Sequence, residues 1–153
     1  MAVYTTAGTT LHMTAAAPAT YDGTGYAALT WTELGEVVSV GTYGREYDKV
    51  THKPLKSRGT VKRKGSFDEG AMTVSMGKDT DDAGQILLKT ASMSDNDHSF
   101  KLVYQNGDVE YFRAQVMNFK NDPGEASKIV GVSVDLDITT NSAGVGVVSV
   151  LAP

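Results

Sequence analysis

The feature that most constrains this chain is a period-two alternation in KIVGVSVDLDI at 128–138. Val130, Val132, Val134, Leu136 and Ile138 fall on one side of an extended chain, and Ile129, Gly131, Ser133, Asp135 and Asp137 on the other. Such a strand can cover a core with its apolar side only. Its small-to-acidic side is expected to be solvated or to face another subunit.

Other segments repeat that period. Within 67–77, Met72, Val74 and Met76 alternate with Thr73, Ser75 and Gly77, and EVVSVGTYG at 36–44 puts Val38 and Val40 opposite Val37 and Ser39. In HSFKLVYQNGDVEYFRAQVMNF, two runs rich in valine and aromatics flank Asn106-Gly107, a dipeptide suited to the positive φ angles of a tight hairpin turn. This predicts antiparallel strands over 98–104 and 109–119, and a final GVGVVSVL run is available to pair with a sheet edge. The period changes once. DTDDAGQILLKTAS places acids before a stripe of Ala83, Ile86, Leu87 and Thr90/Ala91. That predicts one short helix, capped by Asp79 or Thr80 and weakened by Gly84. Five or six strands with one helix make the expected fold mainly β, a β-sandwich or partly closed β-barrel with one flanking α-helix.

At 153 residues the chain is expected to form a single domain. Residues 1–28 are rich in Thr, Ala and Gly and read as an N-terminal arm, while 139–153 form a C-terminal segment. Between them, 42–65 reads as a long basic loop or an extended hairpin punctuated by Pro54 and Gly59.

Charge singles out that loop. The formal net charge is −4, yet 45–64 holds 8 of the 14 basic residues and only Glu46 and Asp48 as acids, so the span carries +6 and the remainder −10. Arg45, Lys49, Lys53, Lys56, Arg58, Lys62, Arg63 and Lys64 could contact nucleic-acid phosphates, with Tyr43 or Tyr47 stacking on a base. They could equally dock on the acidic surface of another copy, giving head-to-side association into rings or filaments. A solvated loop is the third reading.

The residues offer little for catalysis. Without cysteine, neither a disulfide framework nor a Cys-ligated metal site can form, and His12, His52 and His98 have no ligand spacing. Asp79, Asp81 and Asp82 resemble the start of a calcium loop but lack its remaining positions. The pair Asp135 and Asp137 could act as two acids on one face, though alternation alone accounts for them. No phosphate loop, dinucleotide loop or nucleophile elbow is present. No stretch approaches the roughly 20 apolar residues of a membrane-spanning helix. The expectation is therefore a non-enzyme with no cofactor, no metal site and no membrane partner.

Order and spacing together add a resemblance. A GEV segment runs into GTYGRE, KRKGSFDEG follows, then DAGQ on the helix, NGD in the hairpin with YF after it, and the late alternating strand. From about 31 to 138 this pattern resembles the tail tube (major tail subunit) proteins of long, non-contractile phage tails. The resemblance implies a β-sandwich with a flanking helix, related to the tubes of contractile injection systems. Hexameric rings would stack into the conduit that delivers the genome, in a virion tail assembled in the host bacterial cytoplasm. Implied partners are further copies of the chain, the tape measure protein, a tail tip or baseplate and a terminator, with double-stranded DNA passing through unbound. Residues 42–65 would be the long loop that reaches an adjacent subunit or the next ring. The strands at 67–77 and 128–138 would line the lumen, giving Asp135 and Asp137 a DNA-repelling role. The arm and the tail after 139 would add stacking contacts, and the immunoglobulin-like decoration of some relatives is expected to be absent. A terminator or baseplate ring protein, or a nucleic-acid-binding module gripping through 45–64, are the alternatives.

Overall fold

Alternating segments become neighbouring strands of one large sheet. The computed structural model describes residues 3–153; Met1 and Ala2, at the start of the expected arm, lie outside the described residues. In chain order the elements are β1 (Thr10–Thr14), α1 (Gly23–Ala27), β2 (Thr32–Glu33), β3 (Val37–Val40), β4 (Glu46–His52), β5 (Val61–Asp68) and β6 (Ala71–Gly77). They continue with α2 (Ala83–Ser92), β7 (His98–Val103), β8 (Val109–Val116), β9 (Lys120–Asp122), β10 (Gly131–Thr139) and β11 (Val148–Val150). The main sheet has nine strands in the path β2-β1-β7-β8-β10-β6-β3, with β11 also on β8 and β9 also on β10. It does not close on itself, so the mainly β fold is an open, strongly branched sheet.

The alternation at 128–138 fixes which face is inside. Val132, Val134, Leu136 and Ile138 are buried, and opposite them on β6 lie Met76, Val74 and Met72, also buried. The strand starts later than its pattern suggests. Val130 remains outside β10 and half-exposed, its carbonyl accepting from the Lys78 amide at 2.8 Å. The hairpin at Asn106-Gly107 forms as expected, with β7 and β8 antiparallel and Gly107 at φ 95°. Phe100 and Phe112 face each other across it, fully buried and stacked at 5.5 Å. The last run becomes β11 and pairs with β8.

Several expectations are corrected. The segment 1–28 is more than an arm: β1 pairs with β7 over its whole length, and Leu11 and Met13 are fully buried. Few apolar residues suffice there because β1 needs only its two inward positions filled. A second, short helix, α1, also lies within this segment, with Tyr26 buried against Tyr111. In β3, Val37 and Val40 pack on the core while Val38 is exposed, because a register shift between Val37 and Ser39 breaks the alternation.

Helix α2 begins later than predicted. Asp82 is its N-cap, accepting from the Gln85 amide at 2.9 Å and the Gly35 amide at 3.0 Å. The buried positions are consequently Gly84, Gln85, Leu88 and Ala91, and Ile86 points outward. Gly84, which weakens the helix as a sequence, is what allows it to seat: a Cβ there would collide with the Glu33 carbonyl.

Candidate assembly surfaces

The solvent side of β6 and β10 is built from small and acidic groups. Register places Ala71, Thr73, Ser75 and Gly77 opposite Asp137, Asp135, Ser133 and Gly131, all on the face turned away from the core. Neither strand contains a basic residue. Asp135 is held in place: its carboxylate accepts from Thr73 Oγ1 at 2.7 Å and from Asn118 Nδ2 at 2.8 Å. Asp137 is exposed beside Gln115 of β8. The two aspartates thus share one flat face, as alternation requires, and Asp68 lines the same shallow depression as Asp137. Among the described residues no group of three or more His, Cys, Asp or Glu could hold a metal ion.

Hydrogen bonds from Asn118 and Thr73 hold the Asp135 carboxyl below its ordinary pKa. Asp22 is lowered chiefly by the Gly25 amide and Asp108 by the Ala152 amide. A depressed folded pKa contributes stability that is complete above the unfolded value of about 4 and is lost as pH falls through the folded value. Thermal melts taken from neutral pH downward should therefore show a falling midpoint in the carboxylate range, and Asp135→Asn should flatten the fall. A midpoint that climbs on acidification would contradict this assignment.

The basic segment adopts the extended-hairpin alternative. β4 and β5 form a separate two-stranded ribbon in which every β4 residue is exposed. Lys49 stands directly opposite Lys64, Thr51 opposite Lys62 and Val50 opposite Arg63. Like charges facing each other across a strand pair are destabilising, so this ribbon is not built for its own stability. Lys53, Lys56 and Arg58 sit exposed in the connection between the strands. Of the eight basic residues, Arg45 alone pairs with a carboxylate among the described residues.

That pair anchors the ribbon's root. Arg45 Nε donates to Oε1 of the buried Glu69 at 2.6 Å, and the guanidinium lies 3.8 Å from the Phe67 ring centre. Glu69 Oε2 accepts from the Val147 amide at 3.2 Å, which ties the C-terminal segment to the same point. Tyr47 and Phe67 pack edge to face beside it. Glu69 carries no local sequence signal, because its partners are 24 and 78 residues away.

The histidines do not converge. His12 lies in β1 beside Thr10, His52 ends β4, and His98 is buried with Nδ1 at 3.1 Å from the Asn96 carbonyl.

By sequence the chain matches no family model and no curated protein. By structure it superposes on the tail tube of SPP1 with a TM-score of 0.64 at 15% identity, covering 92% of this chain and 75% of that one. The fold is tail-tube-like. A chain of the sixfold-symmetrised baseplate of the anti-feeding prophage superposes with a TM-score of 0.59 at 6% identity, covering 89% of this chain and 92% of that one. At such identities the likeness lies in the backbone path alone.

Proposed function

We propose that this protein is a structural subunit of a phage tail whose hexameric rings stack into a tube, the conduit for genome delivery. The observation that carries this reading is the ribbon. It is a costly structure to maintain in an isolated chain, with seven of its eight cations lacking a carboxylate partner among the described residues, and it becomes reasonable once a second copy supplies the acids. The rest of the molecule is that acidic counterpart, and a basic feature meeting a different, acidic patch makes a heterologous contact that propagates from copy to copy. The tail-tube-like fold supports the same reading, and the sixfold baseplate neighbour supports the ring number.

The small acidic face of β6 and β10 is suited to the lumen. Carboxylates there repel DNA phosphates, and the short side chains of Ala71, Thr73, Ser75 and Ser133 leave nothing for a passing duplex to catch on. The exposed edge of β3 would be covered by a neighbour in the ring, removing a strand edge that the isolated chain presents. Such a tube would grow from a tip or baseplate complex, its length set by a tape measure protein and its end closed by a terminator, with assembly in the bacterial host's cytoplasm. No membrane, cofactor or catalytic step enters.

Negative-stain electron microscopy across a concentration series tests the proposal: hollow tubes are the expected result. Closed rings that never stack would favour the second reading, a baseplate or terminator ring, which the baseplate neighbour makes specific. Salt-sensitive duplex binding abolished by reversing Lys62, Arg63 and Lys64, without rings or tubes, would favour a nucleic-acid-binding module. The lumen placement has its own check. Virions carrying Asp135→Lys and Asp137→Lys should assemble tails of normal length and deliver the genome at least tenfold less well; undiminished infectivity would remove these residues from the channel.

A further inference from the structure

Helix α2 turns an apolar side chain outward where its sequence stripe would have it inside. Ile86 is 54% exposed, although Gln85 and Leu88 beside it are buried. Together with Phe119, Asp79, Thr80, Lys78 and Lys89 it lines an open groove of about 260 Å³, room enough for a side chain. Asp79 lies at the end of the groove nearest the start of α2, with the exposed Asp81 next to it, its amide donating to Asp79 Oδ1 at 3.0 Å. Neither carboxylate is in an ion pair among the described residues.

The ribbon carries the matching shape and charge. Leu55, at its tip, is the most exposed large apolar side chain of the described residues, at 107%, and it stands between Lys53-Pro54 and Lys56. A leucine displayed in this way among cations serves no purpose in the isolated chain. Nor does the chain's own core use it. The seven residues of β4 carry the tip roughly 20 Å from the root, at about 3.3 Å per residue.

We infer that the Ile86–Phe119 groove of one copy receives the Leu55 tip of a neighbouring copy, with Lys53 and Lys56 set against Asp79 and Asp81. This rests on the self-assembly proposed above and adds the acceptor for the ribbon. Leu55 supplies the apolar contact, and the two lysines supply the charge that Asp79 and Asp81 match. The acid–base part is exposed and screened, so the contact weakens with salt, while the apolar part does not.

The chain contains no cysteine, which makes the contact directly testable. Leu55→Cys combined with Ile86→Cys, assembled and then oxidised, should give a ladder of covalent multimers on a denaturing gel. The control pair of Leu55→Cys with Leu151→Cys should give none. Tubes that form normally without a ladder, or a ladder from the control pair instead, would overturn the groove while leaving assembly standing. Protein that neither assembles nor cross-links would overturn both. A second measurement guards against damage by the cysteines. Asp79→Lys with Asp81→Lys should abolish tubes, and adding Lys53→Glu with Lys56→Glu to the same chain should restore them. A combined variant that melts like the parent but fails to regain tubes also overturns the inference.

Discussion

Joining Glu46 to Asp68 through an Asn-Gly turn, with residues 47–67 removed, is expected to leave the sheet folded and to abolish polymerisation entirely. Glu46 and Asp68 are directly opposed at the ribbon's base, so a two-residue turn fits between them. The Arg45–Glu69 pair lies outside the excision. No residue of β4 or β5 belongs to the hydrophobic core, and the opposed Lys49 and Lys64 are deleted with the ribbon. Thermal stability of the monomer should therefore be unchanged or slightly raised, while tubes disappear from electron micrographs at every concentration tried. The two readouts separate folding from association. Normal tubes from the shortened chain would mean that edge pairing suffices and that the ribbon is ornamental.

Phe112→Ala should be the most damaging single truncation in the core, with a loss of about 3–5 kcal/mol. Phe112 is fully buried, stacked on Phe100 and in contact with the Tyr43 ring at 5.9 Å. It also occupies β8, the strand that joins β7 on one side to β10 and β11 on the other, so a cavity there weakens three pairings together. Against a total of about 5–15 kcal/mol, such a loss brings the monomer close to unfolding. Urea denaturation measures it. Phe100→Ala combined with Phe112→Ala should cost less than the two single changes added, because both open the same space. A change below about 1 kcal/mol would mean that the neighbouring side chains collapse into the gap.

The parts of this fold that were readable in the sequence are those decided within a few residues. Alternation in β6 and β10 gave the core face and, with it, the acidic outer face, and the Asn106-Gly107 dipeptide gave the hairpin. Misreadings arose where a distant partner decides. Asp82 is an N-cap because the amide of Gly35 also needs it, and this moves the helical stripe so that Ile86 faces out. β1 looked like an arm because its two core residues have polar neighbours, and β7 is what recruits it. The extra residue in β3 is similarly invisible until β6 lies beside it. Of the candidate surfaces, the charges of the ribbon were plain from composition, whereas the buried anchor at Glu69 depends on a contact with Val147 that no local pattern announces.

That anchor makes the ribbon a lever with its fulcrum inside the protein. Arg45, Glu69 and Val147 meet at one point, so the C-terminal segment and the root of the ribbon are held by the same buried carboxylate. With an arm of about 20 Å, a tilt of roughly 10° at the fulcrum swings the tip by about 3–4 Å, enough to move one side chain into or out of a groove. In the assembly proposed above, a displacement of the last dozen residues of one copy would shift where that copy's tip meets the next.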